Sequence, residues 1–223
     1  VKNNFEKSTS AKRYTFKEEL ANSITHGIGV IFGIVAITIL LIYSNKNGEP
    51  LSIISFAIYG TCIILMYLSS TLYHSIPNEN IKKILRIFDH SSIYLFIAGT
   101  YTPIALLTMD GYLRVGILIA VWSIAILGIT FKIVTYKKMD NFKKLSLALY
   151  LGMGWIAVFT IKPIIQTTSF KFFVWILVGG LIYTLGTIFY SIKKIPYNHA
   201  IWHLFVLSAS IVHFLGIFLY LAS

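Results

Sequence analysis

Residues 198–222 read NHAIWHLFVLSASIVHFLGIFLYLA. At 1.5 Å per residue this run, as a helix, spans a hydrocarbon core of about 30 Å. His199 and His203 lie four residues apart and therefore on one helix face. Imidazole is costly to bury among apolar groups unless its nitrogens find partners. So the stretch poses two questions at once: how many such spans the chain has, and what the two histidines face.

Similar apolar runs recur along the chain. Of its 223 residues, 57% are hydrophobic and only 12% charged, about half the charge of an ordinary soluble domain. Mean hydropathy is +0.76. Seven spans are predicted, at about 22–43, 51–75, 87–109, 112–135, 143–162, 171–192 and 198–222. The fold class is an all-α integral membrane protein, a seven-transmembrane helix bundle. Helices are required because lipid satisfies no open backbone groups, and the alternation of a membrane barrel is absent. Residues 1–21 are expected to be a cytosolic segment and 22–223 the single membrane domain. VKNNFEKSTSAKRYTFKEELA has no signal-peptide core, so the first span is read as the insertion signal. Cys62 is the single cysteine and lies in an apolar run, which leaves no disulfide framework and no paired-cysteine metal motif.

The net charge of +11 is explained by loop bias, with no nucleic-acid partner needed. Lys46, Arg114, Lys162 and Lys171 fall on one side of the predicted topology, and the other fifteen of the 19 basic residues fall on the opposite side. These fifteen include Lys2, Lys7, Lys12 and Arg13 in the tail, Lys82, Lys83 and Arg86 before the third span, and Lys132, Lys137, Lys138, Lys143 and Lys144 between the fourth and fifth. The positive-inside rule puts the N-terminus in the cytosol and the C-terminus outside. The protein is expected in the cell membrane, with weak attraction to anionic headgroups.

Ionisable residues inside spans are functional candidates. They are His26, His74, Asp89, His90, His199, His203 and His213. The orientation places six of them at the cytosolic level. His213 is ten residues beyond His203, about 15 Å further along its helix, and is read as a hydrogen bonder within the bundle. His74, His199 and His203 together can form a metal site. Three protein ligands plus water is the pattern of a catalytic zinc. Asp89 could act on the water as general base or hold a ligand imidazole. Ser70, one turn before His74, could bond the water or a substrate carbonyl. Gly29 and Gly33 form a GxxxG that permits close packing, although with 15 glycines chance also supplies such pairs. Pro103 is expected to kink the third span. Tyr14, Tyr43, Tyr112, Tyr136 and Tyr197 read as interfacial anchors. Glu18 and Glu19 either cap the first helix or reach over the cytosolic mouth.

Four stretches resemble the haemolysin III family, the bacterial branch of the progestin and adipoQ receptor superfamily: EELANSITHGIG (18–29), SSTLYHS (69–75), FDHSSIYLFIAGTYTPIAL (88–106) and HAIWHLFVLSASIVHFLGI (199–217). The resemblance covers nearly the whole chain. It implies seven helices with a cytosolic N-terminus and a zinc ion held by His74, His199 and His203. It also implies that Asp89 contacts a zinc-bound water, and that Ser70 completes a pattern shared with alkaline ceramidases, which are membrane amide hydrolases. The long soluble N-terminal region of the animal receptors has no counterpart here, so a hormone-receptor role is not expected.

Three functions follow as expectations. The first is a zinc-dependent hydrolase of a lipid amide, with membrane lipids, a ceramide-like lipid or a fatty acid as ligand. The second is a homeostasis or sensor protein whose zinc clamps helices. The third, ranked below them, is a cytolysin, because no helix carries the full-length polar stripe of a conducting pore. Homo-oligomerisation is left open.

Overall fold

The computed structural model describes residues 14–47 and 49–222, with the side chains of Lys46 and Asn47 excepted. Lys2, Lys7, Lys12 and Arg13 of the charge count lie outside the described residues, as does the Lys46 side chain. Every regular element described is helical, and seven helical spans are long and apolar enough to cross a membrane. The expected fold class holds.

The helices are α1 (Phe16–Asn47), α2 (Pro50–Ser75), α3 (Glu79–Thr108), α4 (Gly111–Val134), α5 (Lys143–Trp155), α6 (Ile161–Thr167), α7 (Phe170–Ser191) and α8 (Asn198–Ile217). Their starts follow from local chemistry. Thr15 and Glu18 form a reciprocal capping box: Thr15 N donates to Glu18 Oε2 at 2.8 Å and Glu18 N to Thr15 Oγ1 at 3.3 Å. This starts α1 six residues before the expected position. Pro50 opens α2 in the first turn, where its missing N–H costs nothing. Asn78 caps α3 through Asn80 N and Ile81 N, which carries that helix back to Glu79, well before the expected 87. Gly111 takes φ +55° at the Asp110–Gly111 turn into α4.

The fifth span is the main departure. Instead of one α-helix over 143–162, it is a 3₁₀ segment (Tyr136–Phe142), α5, a second 3₁₀ turn (Ile156–Thr160) and α6. Pro163 cannot donate to the carbonyl four residues earlier, so the α-ladder breaks before it. Pro103, by contrast, sits within a continuous α3.

α1 packs on both α2 and α8, α3 on α2 and α4, α7 on α8, and α5 on α4 and α7, which closes a ring of which α3 is part. In the most apolar window of α3, 72% of residues are buried, against 17% in the fifth span. Tyr59, Tyr67, Tyr94 and Phe56 are fully enclosed. Outward residues such as Ile31, Val134 and Phe159 are exposed, as a lipid-facing surface requires. The GxxxG pair is used: a Cβ on Gly29 would enter the Tyr67 ring, and one on Gly33 would come within 2.8 Å of Ile63. Close approach of α1 to α2 depends on both.

One charge assignment is corrected. Lys132 is not a loop cation. It lies within α4 and is 1% exposed.

Candidate metal centre

His74 is in the last turn of α2, and His199 and His203 occupy the first two turns of α8. Each of the three offers a ring nitrogen, and these atoms lie within 4.8 Å of one another. The local backbone sets this up. Tyr197 adopts a left-handed conformation (φ 54°) immediately before α8. Asn198 then ties the helix start to the end of α7 by donating to Phe189 O and Tyr190 O at 3.3 and 3.2 Å. His199 is thereby fixed at the second residue of α8.

The hydrogen bonds decide the tautomers. His74 Nδ1 is 2.6 Å from Glu19 Oε2. An ionised carboxylate only accepts, so Nδ1 carries the proton and the lone pair is on Nε2. That Nε2 is buried and has no partner. His203 Nδ1 is 3.1 Å from the carbonyl of Asn22, and the same argument leaves its lone pair on Nε2. His199 Nδ1 is buried without a partner. A carboxylate or carbonyl on one imidazole nitrogen, with the other nitrogen free, is the usual outer shell of a metal-bound histidine. The three residues fit a metal ion, and the two orphaned nitrogens are the observation that supports the fit.

Asp89 and Ser70 are both buried, from α3 and α2. Ser70 Oγ is buried with no well-formed hydrogen bond, and Asp89 is its polar neighbour. Asp89 Oδ2 lies 3.2 Å from His90 Nδ1. Ser70, Asp89, His199 and His203 line one cavity of about 300 Å³, which continues between Ile93, Phe96 and Ile97 towards α5 and α7.

The remaining candidates separate. His26 stacks on His203 with ring centroids 3.4 Å apart and has both nitrogens buried without partners. His213 donates from Nε2 to Ile176 O at 3.0 Å, the bundle hydrogen bond expected of it.

Sequence reading anticipated the part played by α1 only in outline, with Glu18 and Glu19 left between a cap and a reach over the cytosolic mouth. Glu18 caps the helix, whereas Glu19 reaches over the mouth to His74 and also accepts from Lys82 Nζ at 2.7 Å. Glu19, Asn22 and His26 recur at i, i+3 and i+7, a helical face that was visible in the sequence. Tyr14, read as a membrane anchor, stacks on His199 at 5.2 Å and meets His74 edge-on at 6.0 Å. Burial, together with the neighbouring Tyr190 and Tyr73, raises the pKa of its hydroxyl, so this cover stays neutral.

The chain matches the family model described as Haemolysin-III related over residues 14–214. It is 47% identical over 207 residues to Hemolysin-3 homolog of Bacillus subtilis (strain 168), covering 93% of this chain and 96% of that protein. It is 44% identical over 215 residues to Hemolysin-3 of Bacillus cereus, covering 96% of each. To Monocyte to macrophage differentiation factor of Homo sapiens it is 31% identical over 213 residues, 93% of this chain and 86% of that protein.

Proposed function

The chain belongs to the haemolysin-III-related family of multi-pass membrane proteins, and we propose that it is a zinc-dependent hydrolase acting on a ceramide-like lipid amide. The observation that carries this reading is that two ligand imidazoles, a buried carboxylate and a buried hydroxyl with no well-formed hydrogen bond face one cavity with apolar walls. A structural clamp alone needs neither Asp89 nor Ser70 in that wall.

Zinc held by His74, His199 and His203 would supply Lewis acidity at the amide carbonyl and acidify water. The chain's own groups do the rest. Ser70 donates a hydrogen bond from its hydroxyl to the carbonyl oxygen. Asp89 takes a proton from water as the oxygen adds to the acyl carbon, then delivers it to the departing nitrogen. The C–N bond breaks, and a carboxylic acid, which keeps the second water proton, and an amine result. His90, against Asp89 Oδ2, orients that carboxylate. Ile93, Phe96 and Ile97 keep the acyl chain away from water.

The test is turnover of a ceramide by purified protein beside Asp89→Asn. Turnover in the parent, lost in the variant at unchanged metal content, is expected. Absence of turnover from a metal-loaded parent would favour the second reading. In that reading the metal joins α2 to α8 across α1, which packs on both. Removing the metal would then lower thermal stability with no chemistry lost. Cytolysis, the third reading, predicts ion flux through protein in liposomes, and none is expected.

A further inference from the structure

Lys132 plays no part in the steps above, yet it sits in the wall of the same cavity. It projects from the last turn of α4 with 1% exposure, so it does not snorkel to water as a lysine near a helix end usually does. Its Nζ donates to Ser146 Oγ at 2.6 Å. Ser146 has already committed its own proton to Phe142 O at 2.9 Å, so it can only accept from the lysine. The face of Tyr150 lies 5.7 Å from Nζ. An ammonium has three N–H groups, and one hydrogen bond accounts for one of them. Its charged neighbours are Asp89, which attracts it, and Arg86, which repels it; Arg86 is itself paired with Asp140 and Asp89 lies against His90. Lys132 therefore forms no ion pair among the described residues. A buried cation without a directly paired counter-ion is costly, and one facing an apolar cavity inside a membrane protein marks a ligand-binding group.

We propose that Lys132, supported by Ser146 and Tyr150, is an anion subsite that holds the carboxylate of a single-chain acyl lipid whose tail occupies the cavity. The proposal rests on the reading of this cavity as an acyl-chain pocket and names the ligand class of that site. It does not depend on the metal chemistry. The apolar stretch lined by Ile93, Phe96 and Ile97 suits the chain, and Lys132 supplies the charge that a neutral lipid would leave unanswered. The released acid of the proposed amide cleavage is one source of such a carboxylate, and free fatty acid from the bilayer is the other.

The experiment measures binding of dodecanoate, dodecanol and acetate to the full-length protein in nanodiscs, for the parent, Lys132→Met, Lys132→Arg, Ser146→Ala and His74→Ala. A charged hydrogen bond lost from a buried site weakens binding by at least about tenfold. That loss is expected for dodecanoate in Lys132→Met, with dodecanol unchanged, Lys132→Arg close to the parent and acetate not bound by any. Should Lys132→Met fail to fold, Ser146→Ala is expected to weaken dodecanoate selectively by a smaller factor. Dodecanoate binding retained in Lys132→Met but lost in His74→Ala would send the carboxylate to the metal site and overturn the proposal while leaving the metal centre standing. Equal affinity of the parent for dodecanoate and dodecanol, or no binding of either, would also overturn it. Dodecanoate binding that persists in His74→Ala and still depends on Lys132 supports the subsite even if the parent shows no amide turnover. Lipid extraction from the active protein and from Asp89→Asn separates the two sources, because acid found in both comes from the bilayer.

Discussion

The third and fifth spans both line the cavity, and they are built in opposite ways. α3 is a continuous helix with 72% of its apolar window buried. It carries Asp89 and His90. The fifth span is broken into two α and two 3₁₀ pieces, with 17% of its window buried. The three candidate metal ligands and Asp89 stand on α2, α3 and α8, whose apolar windows are 44%, 72% and 39% buried. The fifth span contributes mainly wall. A reacting group must be held within about half an ångström, which tight packing provides. A wall that admits a lipid need not be held so firmly, and poorly buried segments open at lower free energy.

The comparison can be broken at the chemistry first. Asp89→Asn on α3 keeps the shape and removes the base. Amide turnover is expected to fall by about 10²–10⁴-fold, with bound metal unchanged. Loss of metal in that variant would make Asp89 a ligand instead.

The support from α1 comes next. Glu19→Gln removes the carboxylate behind His74. Metal affinity is expected to drop about 10–100-fold, read by competition with a chelator. An unchanged affinity would mean that Glu19 serves only Lys82.

Packing sharpens the contrast directly. A Cβ on Gly99 of α3 would come within 2.6 Å of Cys62, whereas nothing lies within 4 Å of one on Gly152 in α5. Gly99→Ala is expected to destabilise by about 1–3 kcal/mol. Gly152→Ala should be neutral or stabilise by up to about 1 kcal/mol. Thermal unfolding in detergent reads both, and equal shifts would remove the distinction between the spans. The smallest effect is expected in amide exchange without any mutation: Lys143–Thr167 should exchange ahead of α3.

Much of this was legible in the sequence, and the gaps have physical causes. Spans were visible because apolar length reports the bilayer directly. Spacing and orientation anticipated that His74, His199 and His203 converge, and that Asp89 and Ser70 stand at the same level. The broken fifth span was hidden because hydropathy is blind to a missing backbone donor, although Pro163 was there to be read. Lys132 was counted with the loops because a cation near a span end usually reaches water, and here Ser146 and the cavity hold it inside. Tyr14 was assigned a local role as an anchor, and Glu19 was left between a cap and a reach over the cytosolic mouth, with its partner unnamed. Their contacts with His74 and His199 bridge more than fifty residues of sequence, and pattern reading has no access to such pairs.

The central claim is that His74, His199 and His203 hold one metal ion between α2 and α8. Metal analysis of the purified protein beside His74→Ala and His199→Ala tests it most directly. The account predicts one zinc per chain in the parent and none in either variant. Equal metal content in all three proteins would contradict it.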